Sequence, residues 1–185
     1  MNDRELMLRV SAGDGAAFDL LVERYRDRTV NFLYRMTGNA EEAEDLAQEA
    51  FLRVYKARKK YQPVAEFSTW LYRIAYNLAV SHYRRRGQCQ LGSLPDLPSA
   101  NPGPDACLTS AEVMEQVWKA LDALPPGQRT ALVLTRLEGC SYARAAEVMN
   151  TTTAAIRSLV ARARETLRLR LRNVIEIAPA SEAKR

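Results

Sequence analysis

The sequence predicts an all-α protein: two small helical domains joined by a flexible Pro/Gly-rich linker, the second containing a helix-turn-helix. Three observations lead there. Apolar residues recur at steps of three and four over nearly the whole chain, with no strand-like alternation of period two. That periodicity stops in "GQCQLGSLPDLPSANPGP", residues 87–104, which holds four of the eight prolines. Beyond it, "CSYARAAEVMNTTTAAIRSLVARARETLRLRL" reads as helix, tight turn, helix. At 185 residues, 47% hydrophobic and 26% charged, the chain has an ordinary globular composition with room for one domain or two small ones.

The elements follow in order. "MNDRELMLRV" is charged on both signs and lacks the apolar core of a signal peptide. No apolar run approaches the roughly 18 residues a membrane helix needs, so a cytoplasmic protein without membrane insertion is expected. Phe18, Leu21, Val22, Tyr25, Thr29, Leu33 and Met36 form the stripe of a long helix that Gly38 ends. Asn39 can cap the next helix, with Glu42 three residues on. Its stripe is Ala43, Leu46, Ala47, Ala50, Phe51 and Val54. Pro63 breaks the chain before a further helix, residues 67–86. After the linker, Thr109 with Glu112 makes a second capping box, and Val113, Val117, Leu121 and Leu124 carry the helix on. "LPPGQ" reads as a turn, and a helix from Arg129 to Leu137 ends at Gly139. Ser141 caps a short helix whose inner side is Ala145, Ala146 and Met149. Asn150-Thr151 can make the turn, because Asn tolerates a left-handed backbone. Thr152 or Thr153 caps the last helix, which buries Ile156, Val160, Ala163, Leu167 and Leu171. The expected domains are 1–86 and 105–178, with the linker 87–104 between them and a tail 179–185.

Charge is distributed in two islands. "FSTWLYRIAYNLAVSHYRRR", Phe67 to Arg86, carries four arginines, one histidine and five aromatics, and no Asp or Glu. Residues 141–185 carry nine Lys and Arg against four Asp and Glu, in a chain whose net charge is only +5. A polyanion touched at two places is the simplest physical reading, with two solvated helix faces as the plain alternative.

In the first island Leu71, Ile74, Ala75, Leu78 and Ala79 form an apolar stripe. Trp70, Arg73, Asn77, Ser81 and Arg84 share another face. A ring can hold an unstacked base, worth about 1–3 kcal/mol. Arginines neutralise phosphates, and carboxylates would repel them. The stretch therefore suits a strand whose bases have left the duplex, although Trp70 and the tyrosines could be plain core. In the second island Thr153, Ala154, Arg157, Ser158 and Ala161 lie at the outer N-terminal end of the last helix, the end a DNA-reading helix presents to base edges. Arg162, Arg164 and Arg168 follow, placed for phosphates. An ordinary helical hairpin is the competing reading.

Asp45, Gln48 and Glu49 share one helix face opposite the apolar stripe. Neighbouring acids repel slightly unless something basic covers them, so the face is either a partner surface or simply solvated. Cys89, Cys107 and Cys140 are an odd number without metal-ligand spacing and read as reduced thiols, so no metal and no cofactor is expected. With His82 as the only histidine and no nucleophile–base pair recognisable, an enzyme is not expected. A stand-alone regulator would use residues 105–172 similarly but would need a sensing first domain, and no phosphate-cradling glycine loop marks one there.

"AEEAEDLAQEAFLRVY", "FSTWLYRIAYN…RRR", "ALDALPPGQRTALVL" and "GCSYARAAEVMNTTTAAIRSLVARAR" resemble, in order, the signatures of extracytoplasmic-function (ECF) sigma factors of the bacterial sigma-seventy family. The resemblance covers roughly Ala16 to Leu171 and implies a transcription-initiation subunit of bacterial RNA polymerase. It implies that Asp45, Gln48 and Glu49 face the clamp helices of the polymerase β′ subunit. The helix with Trp70, Arg73, Asn77, Ser81 and Arg84, with Phe67 and Arg85 toward its ends, would melt and read the −10 promoter element. The second domain would sit on the β flap and read −35 promoter DNA through Thr153, Arg157, Ser158, Ala161, Arg162 and Arg164. An anti-sigma factor is an implied partner. The chain departs from the family pattern at Ser81, where Asp is frequent, and at Asn150, where Gly is usual. It also differs at Arg144 and Ala145, at Ala154-Ala155 in place of Gly-Thr, and at Leu159 in place of Arg. Its base preferences cannot be copied from relatives.

Overall fold

A computed structural model describes residues 1–61, 66–89 and 110–172. Among the described residues eight α-helices follow one another, and there is no strand. The first unit holds α1 (Asp3–Ser11), α2 (Gly15–Thr37), α3 (Ala40–Ala57) and α4 (Phe67–Cys89). The second holds α5 (Ser110–Asp122), α6 (Pro126–Leu132), α7 (Tyr142–Met149) and α8 (Thr153–Arg170).

α1 is an addition to the helices read from the sequence. Its start is a full capping box: the Asn2 side chain accepts from the Glu5 backbone at 2.8 Å, and Glu5 accepts from the Asn2 N–H at 3.1 Å. Leu6, Met7 and Val10 are wholly buried, and Asp3 accepts from Arg24 and Tyr25 of α2. α2 ends where Gly38 turns left-handed (φ 71°), a conformation that costs glycine nothing. Asn39 caps α3 by accepting from the Glu42 N–H at 3.2 Å. The expected stripe of α3, Ala43 to Val54, is buried throughout, and Leu71, Ala75, Leu78 and Ala79 of α4 close the core from the other side. Ile74 is only partly buried.

In the second unit, α6 begins at Pro126, so the prolines of "LPPGQ" open a helix instead of standing before it. Proline suits the first turn because its missing N–H would have no partner there. Val133–Leu137 continues as a π-helical turn, and Gly139 follows with φ 67°. Asn150 takes the left-handed conformation between α7 and α8, at φ 51° and ψ 53°. Thr152, not Thr153, caps α8, accepting from the Ala155 N–H at 3.1 Å. Thr109, expected to cap α5, lies outside the described residues, as do most of the linker 87–104 and the tail. α4 itself continues through Gly87 to Cys89.

The two units pack against each other, and one apolar core runs through both. Tyr34 and Trp118 meet edge to face, with ring centroids 5.0 Å apart. Three polar junctions also join the units. Arg129, with its side chain 4% exposed, donates to the Met36 carbonyl (2.7 Å), the Tyr83 hydroxyl (2.8 Å), the Leu121 carbonyl (2.8 Å) and Asp122 (2.7 Å). It thereby satisfies backbone oxygens in the last turns of both α2 and α5. Glu138 accepts from Arg35 (2.7 Å) and from the Tyr72 hydroxyl (2.8 Å). Arg144 pairs with Glu66 at 2.9 Å and donates to Ser68.

Candidate nucleic-acid and partner interfaces

α4 sorts its side chains sharply. Arg73, Asn77, Ser81, Arg84 and Arg85 are all exposed. The first four recur at steps of four, four and three, so they share a face. The Ser81 hydroxyl donates back to the Asn77 carbonyl at 2.8 Å, which leaves the Asn77 amide clear of it. Trp70 stands between core and surface: it is partly buried, its ring 5.3 Å from Tyr61 and 6.4 Å from Phe67. It is braced from one side with part of its surface still accessible.

Phe67 is a correction. It is only 2% exposed and packs edge to face on Tyr25 at 5.2 Å, so its ring fills the core and is not offered to a base. Tyr72 is likewise core, and burial together with the charge of Glu138 raises the pKa of its hydroxyl well above the ordinary tyrosine value. It is a donor to Glu138 at any physiological pH.

On α3, Asp45 and Gln48 are exposed and Glu49 is half-exposed. Glu49 accepts from Arg53 one turn later at 2.7 Å, and that hydrogen bond holds its carboxyl below the usual pKa. Beside this face runs a groove of about 330 Å³ between α2 and α3, lined by Phe18, Val22, Ala47, Gln48, Phe51 and Leu52 among others. Leu52 is 51% exposed at its edge. The groove was not read from the sequence, because Phe18 and Val22 fit the core stripe of α2 equally well. Only the distance between the two helices decides that they are left half-covered.

α8 presents its outer side throughout. Thr153, Ala154, Arg157, Ser158, Ala161, Arg162, Arg164 and Arg168 are exposed, while Ile156, Val160 and Ala163 are buried beneath them. The Arg157 guanidinium lies 6.0 Å from the Tyr142 ring, which orients it near the start of the helix. Cys140 is a free, buried thiol whose pKa burial pushes up, the opposite of what a reactive cysteine needs. Among the described residues no cluster of His, Cys, Asp or Glu could hold a metal ion, and no helix is long and apolar enough to cross a membrane.

The described residues thus carry two basic helix faces, one on each helical unit, and an acidic face with a half-open groove beside it. Residues 21–88 match the sigma-70 region 2 family and residues 114–167 the sigma-70 region 4 family. The chain is 36% identical over 180 residues to the RNA polymerase sigma-H factor of Pseudomonas aeruginosa, covering 89% of this chain and 91% of that one. It is 32% identical over 178 residues to the ECF RNA polymerase sigma-E factor of Escherichia coli, covering 90% and 93%. It is 37% identical over 165 residues to the ECF sigma factor SigE of Mycolicibacterium smegmatis, covering 85% of this chain but spanning only 64% of that protein's length. The chain belongs to the ECF RNA polymerase sigma factors. Its fold is similar to that of the sigma factor RpoE of Bartonella quintana, solved in complex with the anti-sigma factor NepR. That match has a TM-score of 0.67 at 25% identity and covers 84% of this chain and 96% of that one. CnrH, solved with the cytosolic domain of CnrY, shares the fold at a TM-score of 0.69 and 22% identity, over 96% and 99% of the two chains.

Proposed function

We propose that this sigma factor acts in the cytoplasm, without catalysis of its own, and carries RNA polymerase core to promoters by dividing the work between its two units. Residues 1–86 bind the β′ clamp helices through Asp45, Gln48 and Glu49. They open and hold the −10 element through Trp70, Arg73, Asn77, Ser81, Arg84 and Arg85. Residues 87–104 link this unit to residues 105–178, which sit on the β flap and read the −35 duplex through Thr153, Arg157, Ser158, Ala161, Arg162 and Arg164. Residues 179–185 form a tail. An anti-sigma factor holds the protein inactive, a role supported by the relative solved with one.

The observation that carries this reading is the contrast between the two basic faces. α4 combines a braced ring with arginines and amide side chains and has no carboxylate on its length, which suits unpaired bases. α8 has no ring among its exposed residues and offers short side chains at its N-terminal end with arginines behind them, which suits the edges and phosphates of a closed duplex.

Arginine substitutions test the division of roles on α8. In holoenzyme, Arg157→Ala is expected to cost about 1–3 kcal/mol of −35 binding and to relax preference at one base position. Arg164→Ala is expected to weaken all sequences alike and to lower the salt slope by about one counterion. Both are read on a randomised −35 library. Identical profiles for the two variants would overturn the assignment.

A further inference from the structure

We propose that His82 is a positioning residue for −10 recognition: held by Glu42 of α3, it fixes the last turns of α4 so that Ser81, Arg84 and Arg85 meet one set of bases in one register. The proposal rests on the assignment of the −10 element to α4.

His82 is the only histidine of the chain, and it interrupts a pattern. Leu71, Ala75, Leu78 and Ala79 form the buried stripe of α4, and steps of four and three from the last two lead to position 82. The stripe calls for an apolar residue there. A half-buried imidazole in its place needs a polar partner. That partner is Glu42, in the first turn of α3. The ring Nε2 donates to its carboxylate at 3.0 Å, and the two side chains are 23% and 24% exposed. Glu42 is itself fixed, because the Asn39 cap holds its backbone N–H at 3.2 Å.

The tie falls where α4 has little else to hold it. From Val80 to Arg85 no side chain is fully buried: Val80, His82 and Tyr83 are half-buried, and Ser81, Arg84 and Arg85 are exposed. These turns carry three of the residues assigned to the −10 element. The Tyr83 hydroxyl accepts from Arg129 of the second unit at 2.8 Å, whereas the His82 pair lies wholly within the first unit. α3 and α4 pack on one another, and α3 also carries Asp45, Gln48 and Glu49. The pair therefore ties the last turns of α4 to the helix assigned to polymerase. Helix ends fray, and a base contact tolerates misplacement of only about 0.5 Å. Loosening these turns blurs base preference there and leaves the start of α4 in place.

The test uses holoenzyme assembled with the full-length chain and a promoter library randomised over the −10 element. Ser81→Ala and Arg84→Ala first mark the base positions that depend on the last turns of α4. Trp70→Ala marks those that depend on its start. His82→Ala is expected to relax preference at least about threefold at the former positions, the scale of one lost hydrogen bond. At the latter it should change preference by less than about 1.5-fold, with affinity for core within about twofold of wild type, because distant sites act independently. His82→Leu, which continues the apolar stripe, should do the same. His82→Gln, whose amide can donate to Glu42, should restore preference to within about 1.5-fold of wild type. In a Glu42→Ala background, His82→Ala should change preference by less than about 1.5-fold, since its partner is already gone. A merely structural role gives a different pattern: loss spread evenly over the −10 positions, in step with a lowered thermal midpoint, and no rescue by Gln. That pattern, unchanged preference in both His82→Ala and His82→Leu, or a full effect of His82→Ala without Glu42 would each overturn the proposal. If His82→Ala does not fold, His82→Leu decides. If Ser81→Ala, Arg84→Ala and Trp70→Ala leave every −10 position as it was while the wild type initiates at promoters, the −10 assignment falls, and the proposal with it.

Discussion

Arg129→Ala is expected to lower the thermal midpoint of the free protein by roughly 6–16 °C. The guanidinium is nearly enclosed and makes four hydrogen bonds, two of them to backbone carbonyls at the ends of α2 and α5. Removing it leaves those oxygens without their donor, at about 1–3 kcal/mol each. Its ion pair adds less, because the partner Asp122 is 70% exposed and solvated. A total of about 3–4 kcal/mol, at about 2–4 °C per kcal/mol for a chain of this size, gives the expected shift. Arg129→Lys should recover only part of it, since a single ammonium cannot reproduce the planar fork that reaches both helix ends. Circular-dichroism melting checks this, and a shift below 2 °C for the alanine variant would contradict it.

Reversing Asp45 and Glu49 to Lys is expected to weaken binding to core polymerase by about 30-fold or more while the protein remains folded. The local cost is small. Asp45 is exposed and Glu49 partly so, and the double reversal sets like charges four residues apart between positions 45 and 49 and between position 49 and Arg53, each pair costing about 0.2–0.5 kcal/mol. The cost at the interface is large. Two reversed charges against a complementary surface sacrifice about 2–5 kcal/mol. Fluorescence titration with labelled core measures the loss, and an unchanged Kd with an unchanged helical spectrum would show that this face is solvated and nothing more.

Most of the helices were legible in the sequence because their signals are local. The Asn39 cap, the Gly38 stop, the stripe from Ala43 to Val54 and the Asn150 turn each depend on residues within a few positions, and each is found as read. α1 was within reach by the same logic. Asn2 and Glu5 have the same spacing as Asn39 and Glu42 at the start of α3. Phe67 was misplaced because it opens the acid-free stretch in sequence yet points inward in space, and the direction of a helix's first turn depends on what packs beneath it. The junction was beyond local signals altogether. Arg144 stood out only as a departure from the family pattern, and its partners Glu66 and Ser68 lie 78 and 76 positions earlier in the chain. Arg129 reads as a solvated helix residue until Met36, 93 positions away, is brought to it.

Run-off transcription with purified core polymerase on fragmented genomic DNA bears most directly on the central claim. Core alone should yield only unspecific products. Core with this chain should yield discrete transcripts whose start points share one −35 and one −10 sequence at a fixed spacing. If the chain gives the same products as core alone, while binding the same DNA by itself through α8, then it is a stand-alone regulator and does not direct initiation by RNA polymerase.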